Sequence, residues 1–530
     1  MKTKRQIILA FIILSTALLF GTKAYPQQPD FLFEYQFEES WYFTANHALE
    51  ITSSNGQNCY FVAICDFSSG DLFPNDPNYT NPARIFKLSN EGELVGELII
   101  GEEGRRSVIN RLYPYPEDTN SCLAIGRIHD NEHNYDKPFI AKFDHDLNLL
   151  WQKEIELPET CQMLCHLSRN LIDSHGDIVY CMGMYQLDSL SPYEPKSYLT
   201  YVRLSTEGEV LACAQDSIGR YLYSGAQGEL FEFQDGSGDY GQTLAAENGI
   251  SNDNILIRMN RDFELVGCQV LPWSIYQPDF YLTLGEMQDA LVFSNQDSSL
   301  LSCCEVWYTL YNPHQTDYRA IALIKFDSHF DIQNLSFPSA YNDSVDRVAF
   351  NQGMTSIGDS VFFVCHADYE KWGGQVPNRI FVTKTDKDAN IIWQRCYQAD
   401  DQKLFKPYSI TATSDGGCLV TGGWWIHDQY IASLFVLKFY SDGSLSVPEL
   451  EEFVRPFTFY PNPAQDQLHL QYSPDVQPKT IELYDLQGRL VRTQSQGLES
   501  VNMQGLTPGQ YLMKVTLEGG KSYTDKVVKE

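Results

Sequence analysis

"FVLKFYSDGSL" (Phe435–Leu445) sets three apolar residues before a lysine and an aromatic residue after it. A polar turn with Gly443 follows, then an apolar residue seven positions beyond Lys438. An apolar run, a break of Asp, Ser and Gly, and an apolar return read as two antiparallel strands joined by a tight hairpin. The same frame occurs six more times: "RIFKLSNEGEL" around Lys87, "FIAKFDHDLNL" around Lys142, "TYVRLSTEGEV" around Arg203, "ILIRMNRDFEL" around Arg258, "ALIKFDSHFDI" around Lys325 and "FVTKTDKDANI" around Lys384. The basic residues stand 54 to 67 residues apart. A period of that length means a repeat architecture.

The flanks repeat as well. Upstream of most copies lies an apolar strand, often after a Gly-containing turn: "GQNCYFVAI", "NSCLAIGRI", "GDIVYCMGM", "DALVFSN", "GDSVFFVCH" and "GGCLVTGGW". Downstream lies another, as in "LLWQKEIEL" (Leu149–Leu157), "LVGCQVL" (Leu265–Leu271) and "IIWQRCY" (Ile391–Tyr397). About four short strands per unit, seven times over, read as an all-β fold, a seven-bladed β-propeller over residues 30–445. A linear solenoid would need capping repeats, and none stands out. The seventh copy lacks the downstream strand and runs into "SVPELEEFVRP". A matching strand, "FLFEYQF" (Phe31–Phe37), stands alone before the first unit. Pairing it beside Lys438 would close the ring and remove the open sheet edges.

This order sorts the connections. The hairpins after the basic residues are short. The connections between second and third strands are long, expected at Asp66–Pro82, Gln186–Lys196, Gln296–Asp317 and Ala367–Pro377. Long loops on a rigid scaffold are where binding usually resides. Tyr79, Trp307, Tyr369, Trp372 and Trp425, together with Tyr135 and Tyr308, lie in or beside such loops. Their rings could stack on a flat ligand such as a sugar, or simply pack loops onto the rim. The repeat's basic residues are expected to point to the solvated face of a strand or to pair with acids on the next one.

Catalytic signals are weak. There is no G-x-S-x-G, H-E-x-x-H or Walker-type loop, and no Cys/His cluster at ligand spacing. "HDNEH" spaces His129 and His133 as a helix would for a metal, but it falls between two strands and reads as a solvated loop. "DKDAN" (Asp386–Asn390) begins like a calcium loop but lacks the later Gly and Glu, and it coincides with a hairpin turn of the repeat. "DGSGD" (Asp235–Asp239) reads as an ordinary turn. No catalytic residue, metal or cofactor is expected. A convergent acid or His cluster in the central funnel would point to an enzyme; small apolar inner residues would not.

Composition agrees with export. The 530 residues are 43% hydrophobic with 32 Tyr and 30 Phe, which favours β-structure. "MKTKR" followed by the apolar Ile7–Phe20 and small residues up to Ala24 reads as a signal peptide over 1–24. Fourteen apolar residues are short for a membrane span, so no transmembrane anchor is expected. The formal charge of −31 becomes −35 without those 24 residues, which carry four cations and no acid. Such a surface favours solubility and repels phosphate backbones, so nucleic acid is not an expected partner. Most of the 13 Cys sit in apolar runs as small core residues. "CQMLC" (Cys161, Cys165) and the adjacent Cys303 and Cys304 leave room for one or two disulfides.

After the acidic linker 446–456 the repeat stops. Short alternating strands follow: "LHLQY", "TIELYDL", "LVRTQ", "YLMKVTL" and "KSYTDKVVK", which suggest a small Ig-like β-sandwich over 457–530. This segment resembles the type A C-terminal sorting domain of proteins exported by the type IX secretion system of Bacteroidota. The resemblance rests on "YPNPAQDQL" (Tyr460–Leu468), "IELYDLQGRLV" (Ile481–Val491), "LTPGQYLMKV" (Leu506–Val515) and "DKVVK" (Asp525–Lys529), in that order at the chain end. Its signature residues here are Pro461, Asn462, Pro463, Asp466, Tyr484, Asp485, Gly488, Arg489, Gly509 and Tyr511. The resemblance implies engagement with the type IX machinery, passage through the periplasm and the outer membrane, and release or surface attachment. More loosely, the middle resembles secreted bacterial propellers with "GG.LVTG" and "LVKLD.DG" repeats, a likeness of fold only. The expected function is an exported binding or adhesion protein with a glycan or protein ligand; a secreted hydrolase or lyase acting on polysaccharide or peptide is the alternative.

Overall fold

The structure, a computed structural model, describes residues 31–35, 43–52, 56–66, 82–102, 104–130, 135–158, 165–186, 196–216, 221–247, 252–271, 274–276, 280–292, 299–310, 316–327, 331–336, 345–349, 351–358, 360–368, 379–398, 403–426, 431–441, 457–460, 463–472, 478–484, 489–517 and 522–530. The expected signal peptide 1–24 and linker 446–456 lie outside the described residues. The chain divides into two compact units, Met1–Ser446 and Val447–Glu530.

Each copy of the repeat becomes one antiparallel sheet, and the first unit holds seven such sheets among the described residues. In the first sheet Phe43–Thr52, Asn58–Asp66, Ala83–Ser89 and Leu94–Ile100 pair in chain order. The second, third and fourth sheets repeat this plan. The fifth adds a short strand, Ser274–Tyr276, outside Phe280–Val292. In the sixth the first strand is split into Val345–Val348 and Met354–Ile357. The seventh takes its fourth strand from the beginning of the chain: Phe31–Tyr35 pairs with Ile431–Phe439, setting Phe31 opposite Lys438. Phe33 and Tyr35 also pack edge-on against Phe86 of the first sheet, with ring centroids 6.3 and 5.1 Å apart. One strand thus joins the last sheet by hydrogen bonds and the first by aromatic packing.

The fifth sheet corrects the sequence reading. "DALVF" ends the first strand, Phe280–Val292, and the second strand is Leu300–Leu310. Trp307 and Tyr308 therefore belong to a strand, not to a long connection. The segment "LLSCCEVWYTL" hides because its polar members are buried: Ser302, Cys303 and Cys304 are fully covered, so no apolar alternation marks the strand.

The core lies between neighbouring sheets. Phe61 and Phe143 meet edge-on at 5.1 Å between the first and second, and Phe405 and Phe435 at 4.9 Å within the seventh. Each such ring contributes about 2 kcal/mol through its buried area. Sheets are in contact in chain order, and the seventh meets the first. Toward the rim the sheets diverge, and the outer strands keep aliphatic pairs exposed: Leu94 and Val95, Leu149 and Leu150, Leu265 and Val266, Ile391 and Ile392.

The hairpins follow one plan. Asp144 Oδ1 accepts the N–H groups of Asp146 and Asn148, and Asp386 Oδ1 those of Asp388 and Asn390. The fourth residue of the turn needs positive φ. Gly92 and Gly208 supply it without strain, whereas Leu147, Phe263 and Ala389 adopt it at 64° to 65°. That costs about 1 kcal/mol per side chain. Phe263 offsets it by packing on Tyr201 and Tyr240, with centroids 5.5 and 5.7 Å away.

The second unit is a two-sheet sandwich. Phe457–Tyr460, Gln467–Tyr472 and Ser500–Asn502 form one sheet; Leu490–Gln494, Pro478–Tyr484, Gly509–Leu517 and Ser522–Lys529 form the other. Its own core includes Leu468, Ile481, Leu483, Met513, Val515 and Val527.

Candidate functional site

The first strand of each sheet is irregular where it passes the centre. Its register with the second strand slips at Asn46, at Asn110, between Cys165 and Leu167, between Leu222 and Leu230, between Leu284 and Asp289, and at Tyr408. The split strand of the sixth sheet is the same interruption. Bulges re-aim side chains, and polar groups converge here. Asn351, in the break of the sixth sheet, donates from Nδ2 to the carbonyls of Asn46 (3.2 Å) and Asn110 (2.6 Å). Its Oδ1 accepts from Arg169 at 3.4 Å, and its main-chain N–H reaches the Tyr408 carbonyl at 2.8 Å. One asparagine thus links its own sheet to the first, second, third and seventh.

Charge is paired at the same centre. Arg111 of the second sheet meets Glu229 of the fourth at 2.5 Å, and Arg169 of the third lies 3.8 Å from the other Glu229 oxygen. Arg111 also donates to the Asn170 carbonyl at 3.0 Å. His47 accepts the Leu112 N–H at 3.3 Å. Burial, reinforced by the Arg111 charge and opposed by a hydrogen bond with Gln352, pushes His47 down to about 3, so its ring is neutral at pH 7. Asn46, His47, Arg111, Arg169, Asn170, Glu229 and Asn351 are each less than a tenth exposed. The structure brings an acid, a histidine and two arginines together at the axis, and each is committed to another strand. None was singled out in the sequence; the signal lay in polar residues at the bulges of the first strands.

On the side of the long connections, the end of the second strand of the second sheet, Ser121–Asp130, and the start of the third, Tyr135–Asp144, meet Arg106, which precedes the first, Ser107–Pro114. Asp136 is buried and receives Arg127 (3.3 Å), Arg106 (3.4 Å) and His129 (2.8 Å). Burial alone would raise its pKa; the Arg127 charge, the His129 hydrogen bond and the Arg106 charge overrule it and hold the carboxyl at about 2. Of the "HDNEH" pair, His129 therefore serves an ion cluster, and His133 lies outside the described residues. Tyr79, Tyr369 and Trp372 also lie outside them. Trp307, in Leu300–Leu310, and Trp425, in Cys418–Ile426, both stand near the ends of second strands, before the short connections 311–315 and 427–430; Tyr135 opens the third strand of the second sheet.

The opposite side carries the repeat's basic residues, and they pair with acids, as one of the two expectations had it, though the acids stand in turns rather than on the next strand: Lys142, Arg203, Arg258, Lys325 and Lys438 each bind an Asp. Lys438 is 3% exposed, binding Asp415 at 2.8 Å and Thr413 at 2.7 Å in the first turn of its own sheet. Arg203 reaches Asp177 in the same way at 2.9 Å, and Arg258 reaches Asp239 at 2.6 Å. Others clasp the hairpin of the next sheet: Lys87 donates to the His145 carbonyl at 2.7 Å, Lys325 pairs with Asp388 at 2.5 Å, and Lys384 donates to the Ser441 carbonyl at 3.0 Å. The repeat is thus a lock between turns. It occupies the acids of "DGSGD", since Arg258 also holds Asp235 at 2.8 Å. "DKDAN" is likewise spent on its own turn and on Lys325. No group of three metal-binding side chains occurs among the described residues.

No disulfide joins any two of Cys59, Cys65, Cys122, Cys181, Cys213, Cys268, Cys303, Cys304, Cys396 and Cys418. Cys303 and Cys304 are therefore not bonded to each other; Cys161 lies outside the described residues.

In the sandwich, Ala464 explains the Pro-Asn-Pro entry. It is fully buried, donates its N–H to the Val528 carbonyl at 2.8 Å and accepts from Glu530 N–H at 2.9 Å. The first signature motif thereby pins the last strand. The Tyr511 hydroxyl donates to the Thr507 carbonyl at 2.8 Å, and the Met503 N–H bonds the Asp466 carbonyl at 2.8 Å. Tyr484 ends Pro478–Tyr484, Gly509 opens Gly509–Leu517, and Arg489 is exposed. Pro461, Asn462, Asp485 and Gly488 lie outside the described residues.

Fold and termini define a β-propeller followed by a sandwich tail. Residues 458–530 match the family model of the secretion system C-terminal sorting domain. The chain therefore carries a type IX sorting tail, which implies engagement with that secretion machinery and export to the cell surface or beyond. No curated protein matches the sequence. Among solved structures, it is similar to the β-propeller domain of the Trilobed protease from Pyrococcus furiosus, at 10% identity and TM-score 0.38 over 77% of this chain and 99% of that one. Pseudomonas brassicacearum lignostilbene dioxygenase gives 11% and 0.39 over 78% and 93%, and Penicillium chrysogenum alpha-L-arabinanase 12% and 0.35 over 51% and 92%. Similarity this low says nothing of function here. No helix among the described residues is long and apolar enough to cross a membrane.

Proposed function

We propose that the exported propeller is a non-catalytic binding module that takes a glycan or protein ligand on the side of its long connections. Tyr79, Trp307, Tyr369, Trp372 and Trp425 are the contacts we would assign to that ligand, by stacking. One observation carries the reading: the groups that could do chemistry at the axis are used by the fold. Glu229 is taken by Arg111 and Arg169, and Asn351 by three other strands' groups. A general acid or base needs a partner proton in a substrate, and these groups face each other under less than a tenth exposure. The seven-sheet ring is then a rigid platform, and variation is left to its connections.

The test is a screen of the purified full chain against glycan arrays and extracellular matrix proteins, with product analysis by mass spectrometry in parallel. Saturable binding without product is expected. Turnover of any polysaccharide or peptide would overturn the reading.

A further inference from the structure

The hairpins of the first four sheets end on one surface motif: "EGELV" (Glu91–Val95), "DLNLL" (Asp146–Leu150), "EGEVL" (Glu207–Leu211) and "DFELV" (Asp262–Val266). Each sets two adjacent aliphatic residues at the start of an outer strand, and these eight side chains are 38% to 61% exposed. In every copy the ladder to the third strand skips the second of the two, so Val95, Leu150, Leu211 and Val266 are bulge residues. A bulge closes an edge to strand addition. What a partner can reach here is side chains, not main chain.

The four motifs form one arc, because each hairpin touches the next sheet. Leu147 of the second hairpin lies against Gly96 of the first outer strand, where an added Cβ would stand 2.9 Å from its Cδ1. Lys153 of the second outer strand donates to the Glu207 carbonyl at 2.5 Å, and Arg203 of the third sheet to the Arg261 carbonyl at 3.2 Å. Aliphatic residues scattered singly over a surface need no explanation; pairs that follow one another and are rimmed by polar groups mark an interaction site. Charge selects what fits. All seven acids of the four motifs are exposed. The cations of these hairpins and outer strands, Lys153 and Arg261, are turned away to other groups, Arg261 to Asp173 at 2.9 Å and Asp177 at 2.6 Å. A second copy of so acidic a chain, an anionic lipid or a phosphate backbone is repelled from this arc, and a cation is drawn to it.

We propose that this arc is a binding surface for a cationic, amphipathic polypeptide, whose Lys or Arg side chains meet the hairpin acids while its apolar side chains cover the aliphatic pairs. The acids would speed encounter and set the sign of the partner, and the covered aliphatic area would hold it. The surface lies on the hairpin side and is independent of any ligand held by the long connections.

The test measures dissociation constants of the purified full chain for three synthetic peptides of equal length: one of Lys and Leu, one of Lys and Ser with the same charge, and one of Glu and Leu. The Lys/Leu peptide should bind about tenfold tighter than the Lys/Ser peptide, more weakly as salt is raised, and the Glu/Leu peptide should not bind. The triple variant Val95→Ser, Leu150→Ser, Leu211→Ser changes bulge residues of the arc and should cost the Lys/Leu peptide about tenfold. Ile392→Ser makes the same change at a 56% exposed residue of the sixth sheet, outside the arc, and should leave affinity unchanged. Glu93→Gln with Glu209→Gln, which alters no apolar group, should weaken binding at low salt. Urea unfolding midpoints equal to wild type show that each variant is folded. No binding of the Lys/Leu peptide, equal affinity for the Lys/Leu and Lys/Ser peptides, binding of the Glu/Leu peptide, or wild-type affinity in both the triple variant and the glutamine variant overturns the proposal.

Discussion

Replacing Asn351 by Ala tests the closed axis. The substitution removes two bonds to main-chain carbonyls, at 3.2 and 2.6 Å, and one longer bond from a guanidinium at 3.4 Å. Each neutral buried bond is worth about 1 kcal/mol net, and the long charged one about as much, with a further cost if the carbonyls stay dry. The sum is a loss of about 3 kcal/mol, large for one side chain. Asn351→Asp should be worse at pH 7, because a carboxylate oxygen would then sit where the amide donor stands 2.6 Å from the Asn110 carbonyl oxygen. Urea unfolding followed by tryptophan fluorescence reads both. A midpoint for Asn351→Ala that corresponds to less than about 0.5 kcal/mol, the range of ordinary surface substitutions, would refute the claim that this residue holds the sheets together.

Three further outcomes are expected elsewhere in the molecule. Lys438→Met should cost about 1–2 kcal/mol in the same unfolding assay, because it leaves Asp415 facing Thr413 without its cation; the figure is held low because Asp415 is partly solvated. Burial would raise the Asp415 pKa, but Lys438, Thr413 and the Gly417 N–H hold it below the usual carboxylate range. Its stabilisation is thus present above about pH 4 and lost as pH falls through the folded value, and Lys438→Met should flatten that part of the profile. His47 acts in a higher window: the unfolded ring takes a proton near pH 6.5 and the folded one only near 3, so stability should fall by about 1.4 kcal/mol for each unit that the pH drops between them, and His47→Gln should remove that slope relative to wild type. Removing Phe457–Glu530 should leave the protein in the periplasm, measured by cell fractionation.

The repeat was legible because its basic residue does a local job. Lys or Arg needs an acid or a carbonyl in a neighbouring turn, and that need fixes its distance from the hairpin in every copy. The pairing of Phe31–Tyr35 with the seventh sheet was legible for a related reason, as one copy lacked a strand and one strand lacked a copy. That the basic residues pair with acids was legible as one of two options; that the acids stand in turns was not, because strand alternation alone cannot tell solvent from a buried clasp. The axis was silent. His47, Arg111, Arg169, Glu229 and Asn351 share no spacing, since bulges shift each first strand by its own amount, and their side chains' hydrogen-bond partners are 59 to 305 residues away. The second strand of the fifth sheet was hidden by buried Ser302 and the Cys303–Cys304 pair, which read as loop and redox features.

On the proposed function above, ligand is held on the connection side while the axis serves only the fold. It is tested by one comparison: the dissociation constant of a ligand found in the screen, measured for Glu229→Gln and for Trp307→Ala combined with Trp425→Ala, each checked to be folded at the assay temperature. The axis variant should bind within about twofold of wild type, and the tryptophan variant should lose at least tenfold, about 1.4 kcal/mol or more. The reverse pattern, with affinity lost at Glu229 and kept without the tryptophans, would contradict it.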